Sequence, residues 1–428
     1  MKLGAHIPFL GYFRALVLTG GGALAVQGTT LIISLFIANL FGPIGLAKFS
    51  VTQNTIVTLS AVCQFGLGYT ALNFVARNRA GADVEAIEIV RFCLVSATIV
   101  AALCAFLVLV FSDVISVYIY GDTELIFFVC LSAVGIPFVA LSLVQHSILN
   151  GLERYASIFS LSVVSMIASL TLVFAGSIIG GLQGAAVGFV VSLAARSLML
   201  HFALSRALPL QWSLPSMTTW RHIRSFAIPA GLAGLSLTPS TWFANAWLIK
   251  HAGLETQGLV LAALTIRTAI SLVPQQLATV MLPRYLRADD QGPRQHRYQM
   301  LIYGSVLAGI TGIFCIGAFL FRNGLFQLFG NEFRADAGIL ALFLAAAFIE
   351  AVGLPFSFYY ARREKMWAYL LTFTYPKDLI LVVTSLVLIP AYGGIGVACA
   401  YLSSAAFGLI SLAAVQIIVY VRLRLATA

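Results

Sequence analysis

Apolar runs of about twenty residues, separated by short polar breaks, fill this chain almost from end to end, and twelve can be drawn. They cover 15–40, 51–73, 91–111, 124–148, 156–178 and 182–203, then 226–250, 256–283, 298–320, 335–360, 367–389 and 394–420. A helix crosses a hydrocarbon core of about 30 Å with about 20 residues and satisfies every backbone N–H and C=O within its own segment. The pattern predicts an all-α, polytopic membrane protein with almost nothing left for a soluble domain. The first run is too long for the apolar part of a cleavable signal peptide. Bends are expected at Gly20, Gly21 and Gly22, and at Pro229, Pro239, Pro274 and Pro376, where the helix ladder loses a donor.

Charge sharpens this picture. Charged residues are 9% of the chain and hydrophobic ones 60%, against about 25% charged in a soluble domain. Counting from a cytoplasmic N-terminus, 18 of the 25 Lys and Arg fall on inner segments, and only Lys48, Lys250, Arg322 and Arg334 fall outside. The positive-inside rule then puts both termini in the cytoplasm. The net charge of +10 is mostly this topology signal and does not point to nucleic acid; inner basic loops sit against anionic lipid headgroups. The six cysteines fall within or beside the spans without CxxC or Cys/His spacing, so they read as small core residues, with no metal or disulfide implied. No loop exceeds about twenty residues, too little for the convergent titratable groups of an enzyme site.

The two halves resemble each other at an offset of about 210. RALVLTGGGALA from Arg14 lies over RSFAIPAGLAGL from Arg224, and Phe41-Gly42-Pro43 over Ala252-Gly253-Leu254. NGLERYA from Asn150 lies over ARREKMWA from Ala361, and Gly181-x-x-Gly184 over Gly393-x-x-Gly396. Six spans per half give two lobes, 1–210 and 211–428, of the same orientation; such repeats flank a central path and rock against each other. The glycine turns at 180–184 and 393–396 let the last two spans of each lobe fold back tightly.

Arg196, Arg267 and Lys377 lie inside spans, with Glu350 and Asp378 as acidic companions. A charge at such depth costs at least about 2.5–3.5 kcal/mol, so it faces a bundle interior or a wet cavity. Arg267 lies about 16 Å past Thr256, and Thr268, Ser271, Gln275 and Thr279 extend a polar stripe beside it. Gln27, Thr30 and Ser34 in the first span, and Asn54 with Thr58 in the second, make similar stripes, as expected for a hydrated cleft. Arg267 reads as a cleft cation or as an anchor for carbonyls at a helix break. Glu350 and Lys377 match in depth, about 18–21 Å from the inner side, and read as a structural pair or, with Asp378, as a protonatable cluster. Arg196 lies near an inner helix end, where it can snorkel; His146 reads as a packed polar residue.

Phe-Gly-Pro at 41–43, Phe-Gly-Leu-Gly at 65–68 and the Leu388-to-Ala398 turn resemble the translocases of polysaccharide repeat units, members of the multidrug/oligosaccharidyl-lipid/polysaccharide exporter superfamily. The resemblance covers nearly the whole chain. It implies a V-shaped pair of six-helix lobes in the bacterial inner membrane that flips an undecaprenyl-pyrophosphate-linked oligosaccharide to the periplasmic leaflet. It also implies a cationic cleft, onto which Arg267 maps best, and partners among polysaccharide polymerase and chain-length machinery. The family often places an acidic residue before the late glycine of span two; Cys63-Gln64-Phe65 stand there instead, so no first-lobe coupling site carries over. A cation antiporter of the superfamily would need acids within the first-lobe spans, where Asp113, Asp122 and Glu124 sit only at an outer edge. A peptidoglycan-precursor flippase usually carries two more spans.

Overall fold

Glycine, more than proline, decides where the long helices of this chain turn. A computed structural model describes residues 9–77, 84–208, 223–224, 228, 231–232, 237–287, 292–333, 336–362 and 366–427. Helix is the only regular structure among the described residues. Eight of these helices are long and apolar enough to cross a membrane, so the chain is a multi-pass membrane protein. Four of them, Gly20–Gln64, Tyr155–Ser205, Thr238–Ala278 and Trp367–Val415, run 45, 51, 41 and 49 residues, about twice what one crossing needs. Each leaves helical geometry at one place: Gly42, Gly180–Gly181, Gly253 or Gly393. These are the turns the sequence places between paired spans. At each turn one glycine adopts a positive φ, which costs it no Cβ clash.

The backbone itself repeats. Gly42 (φ 65, ψ −169) matches Gly253 (φ 82, ψ 171), and Gly181 (φ 57, ψ −140) matches Gly393 (φ 53, ψ −122). Phe111 (φ −100, ψ 14) matches Phe321 (φ −93, ψ 16) at the close of a long helix. Members of each pair lie about 210 residues apart, the offset already visible in the sequence. Beyond the turns the helices touch backbone to backbone. A Cβ on Gly184 would strike the Gly176 carbonyl, one on Gly188 the Leu172 carbonyl, and one on Gly396 the Leu388 carbonyl. Such close approach provides the dispersion contacts that hold helices together in lipid.

Proline behaves differently from expectation. The helix Leu237–Arg287 continues through Pro274 with Gly253 as its sole non-helical residue, and Pro239 falls in its first turn, where the missing N–H has no partner to lose. Before Pro376, residues Leu370–Thr374 wind as a π-helix. The Thr372 carbonyl that Pro376 leaves free accepts instead from Ser411 Oγ at 2.5 Å, so the ladder widens without breaking. The glycines at 20–22 keep helical dihedrals, and Gly21 and Gly22 make room for Phe159 and Ser162. A break the sequence did not anticipate falls in span two. Helix stops at Gln64, Phe65 (φ 32) and Gly66 (φ 70) turn, and Leu67–Arg77 resumes. The Gln64 side chain caps the new start by accepting from Gly68 N–H at 3.3 Å.

The helices gather into two units. One comprises 1–33, 48–118 and 122–238, and the other 34–47, 119–121 and 239–428. The first is built on Ile89, Val90, Cys93 and Ala97 against Val144, Ile148, Leu149, Leu200 and Leu204. The second contains a cluster of Ala278, Met300, Leu307 and Phe358. The lobe boundary expected at 210 lies outside the described residues, as do Pro229, Lys2, Arg79, Arg221, Arg334, Arg363 and Lys365.

Candidate functional site

Three charged residues that the sequence treats as a lone cation and a separate pair form one cluster in the second unit. The Glu350 carboxylate holds both cations, one on each oxygen. Arg267 Nη2 donates to Oε2 at 2.5 Å, and Lys377 Nζ donates to Oε1 at 2.9 Å. Helix rise explains the meeting. Counted from Gly253, Ala337 and Gly393, which end their helices on one side, the three residues lie at roughly 20–24 Å, close to mid-membrane. All three side chains are mostly covered, at 13%, 29% and 17% exposure for Arg267, Glu350 and Lys377. The cluster carries two positive charges and one negative.

Its surroundings fix the geometry. The Arg267 guanidinium lies over the Tyr401 ring at 5.1 Å, and the Lys377 ammonium lies 5.8 Å from the Phe373 ring centre. Ser404 Oγ donates to the Lys377 carbonyl at 3.0 Å, tying that helix to the last one. Two polar groups beside Arg267 stay unused. Its own Nε and Ser271 Oγ, one helical turn on, are both buried without a hydrogen-bond partner. Native interiors leave few such groups, and each points to a water or a ligand.

The remaining sequence candidates are spread more widely. Gln275 and Thr268 are exposed, and the Thr268 hydroxyl bonds back to Leu264; the Thr279 side chain lies outside the described residues. Asp378 is buried but follows Lys377 by one residue, about 100° around the helix. The Glu350 carboxylate takes its two cations from Arg267 and Lys377. Gln27, Asn54 and Arg196 belong to the first unit. Gln27 is exposed, Asn54 half-buried, and Thr58 donates to the Thr238 carbonyl at 3.3 Å.

Arg196 does not follow the snorkelling expectation. It is half-buried between helices, lining with His146 and Ser162 a cavity of about 10 Å³, room for a single water. A helical side chain leans toward the helix N-terminus, which directs Arg196 away from the nearer helix end. Tyr401 is the residue the sequence reading missed. Its signal was there: one aromatic ring set among Ala398, Cys399, Ala400, Ser403 and Ser404.

Comparison with known proteins follows the same lines. The family model described as polysaccharide biosynthesis protein matches residues 15–289. No curated protein matches the sequence. Among solved structures, the lipid II flippase MurJ superposes with a TM-score of 0.75 at 13% identity, over 92% of this chain and 86% of that one. An inward-facing multidrug resistance MATE family transporter of the MOP superfamily gives 0.67 at 18% identity, over 94% and 99%. A MOP superfamily transporter from Pyrococcus furiosus gives 0.63 at 18%, over 94% of each chain. At such identities these likenesses establish the fold.

Proposed function

The chain belongs to the polysaccharide biosynthesis protein family, and from that premise we propose that it is a flippase for a lipid-linked oligosaccharide. Its cargo is an undecaprenyl-pyrophosphate-linked repeat unit, carried from the cytoplasmic to the periplasmic leaflet of the bacterial inner membrane by alternating access through a cationic cleft. Both termini face the cytoplasm, and polymerase and chain-length machinery take up the product. The protein acts as a carrier and forms no covalent intermediate.

One observation carries this reading: a half-buried cluster of Arg267, Glu350 and Lys377 with one positive charge in excess. Moving a pyrophosphate through hydrocarbon requires compensating positive charge, while the polyprenyl tail stays in lipid. An arginine offers phosphate a planar fork of donors that a lysine does not. The excess has the wrong sign for a cation antiporter. Gln275 and Ser271 extend the polar surface along the Arg267 helix. Changing Arg267→Ala should abolish surface glycan at unchanged protein level, and Arg267→Lys should restore it only in part. Normal glycan in the Ala variant would leave Arg267 as an anchor and remove the basis of the proposal.

A further inference from the structure

We propose that Glu350 is a displaceable internal counter-ion, competing with a phosphoryl oxygen of the substrate for Arg267 and falling back on Lys377 when it loses. This inference rests on the flippase reading and adds the exchange by which cargo is taken up and let go.

Four features of the cluster point this way. First, the carboxylate is divided: Oε2 serves Arg267 and Oε1 serves Lys377. Glu350 can release the guanidinium and still keep a cation, so neither member of the retained pair becomes a bare buried charge. Second, the guanidinium is held loosely for its kind. A carboxylate or phosphate commonly grips arginine through two parallel N–H donors, whereas Glu350 takes Nη2 alone, and Nε is buried without a partner. Third, Ser271 Oγ is also buried and unbonded, one turn from Arg267 on the same helix face. Arg267 Nε and Ser271 Oγ together supply the donors that one oxyanion needs and that Glu350 does not use. Fourth, the Tyr401 ring under the guanidinium supports its plane from one face and leaves Nε without a competing acceptor.

Charge balance agrees. Each phosphate of a pyrophosphate diester carries one negative charge, and the cluster carries one positive charge in excess. An exchange that pairs Arg267 with an oxygen of one phosphate and Glu350 with Lys377 leaves two neutral pairs at the cluster and the second phosphate's charge to water, and no proton need move. Release runs the same exchange backwards, with the carboxylate displacing the phosphate.

The test uses full-length protein in nanodiscs, with undecaprenyl pyrophosphate as the probe and uncharged undecaprenol as control. Glu350→Gln alone strands two cations and can fail to fold, so the informative variant is Glu350→Gln with Lys377→Gln. That double variant keeps the cluster at one net positive charge, as in the native protein, but has no competing carboxylate. It should bind the probe about tenfold more tightly and release it correspondingly more slowly. Glu350→Asp, whose shorter side chain cannot bridge both cations, should shift affinity in the same direction. Unchanged or weaker binding in the double variant overturns the counter-ion exchange while leaving the flippase reading intact. Native protein that binds undecaprenyl pyrophosphate no better than undecaprenol overturns the flippase reading, and the exchange with it.

Discussion

Removing Lys377 should cost the fold far less than removing Glu350, although the two form one ion pair. Deleting one partner of a buried pair usually costs about 3–5 kcal/mol because the other is stranded. In Lys377→Met nothing is stranded, since Glu350 keeps Arg267 at 2.5 Å. What is lost is one charge-assisted hydrogen bond at 2.9 Å between side chains 17% and 29% exposed. Partial exposure screens that bond, and about 1 kcal/mol is the reasonable loss. Glu350→Gln instead leaves Arg267 and Lys377 without an anion at mid-membrane. The same exposure reduces the full stranding penalty to about 2–4 kcal/mol. Adding Lys377→Met to Glu350→Gln should recover part of that, because one stranded charge is gone. The assay is reversible unfolding in mixed micelles for the native protein, the two single variants and the double, read as a double-mutant cycle. Equal losses in the two single variants, or a double variant less stable than Glu350→Gln, would show that the carboxylate is not shared.

Other expectations are narrower. Gly184→Leu should unfold the 155–205 hairpin, costing about 3 kcal/mol or more by overpacking, because even its Cβ meets the Gly176 carbonyl; Gly317→Ala, with open space around it, should be neutral or stabilising by about 0.5–1 kcal/mol, and helical content on heating separates the two. Tyr401→Phe should transport normally, whereas Tyr401→Leu should weaken probe binding severalfold, since only the ring supports Arg267; equal loss in both would assign the effect to the hydroxyl. Cysteines placed at 210 or 290 should react with impermeant thiol reagents only from the cytoplasmic side, and labelling from the periplasm would reverse the assigned orientation.

Much of the fold was legible because lipid imposes so few solutions on a backbone. Apolar run length marked the chain as a multi-pass helical membrane protein, and glycine pairs marked the turns at 42, 253, 181 and 393, where positive φ leaves little alternative to glycine. The interruption at Phe65 was not legible. Phe65 is an unusual residue for positive φ, and what accompanies it there is tertiary: its ring fills the space that a Cβ on Gly231 would need, far away in sequence. Proline was only partly informative for a related reason. It specifies a missing donor, but whether the helix bends depends on what takes the freed carbonyl, and Ser411 lies 39 residues from Thr372. At the charge cluster, depth arithmetic matched Glu350 with Lys377 because both follow from helix rise alone. It could not say that Arg267 faces the same carboxylate, since that depends on helix rotation, which a single sequence encodes only in its polar stripe. The stripe through Ser271 pointed the right way, and the Ser271 hydroxyl is buried beside the cluster while Gln275, further along, is exposed. Membrane depth is therefore read from spacing, whereas partnership across helices requires rotation. An arginine, a glutamate and a lysine at one depth should accordingly be read as one titratable unit until their facing directions are known, because in lipid any anion within reach of two cations lowers the cost of both.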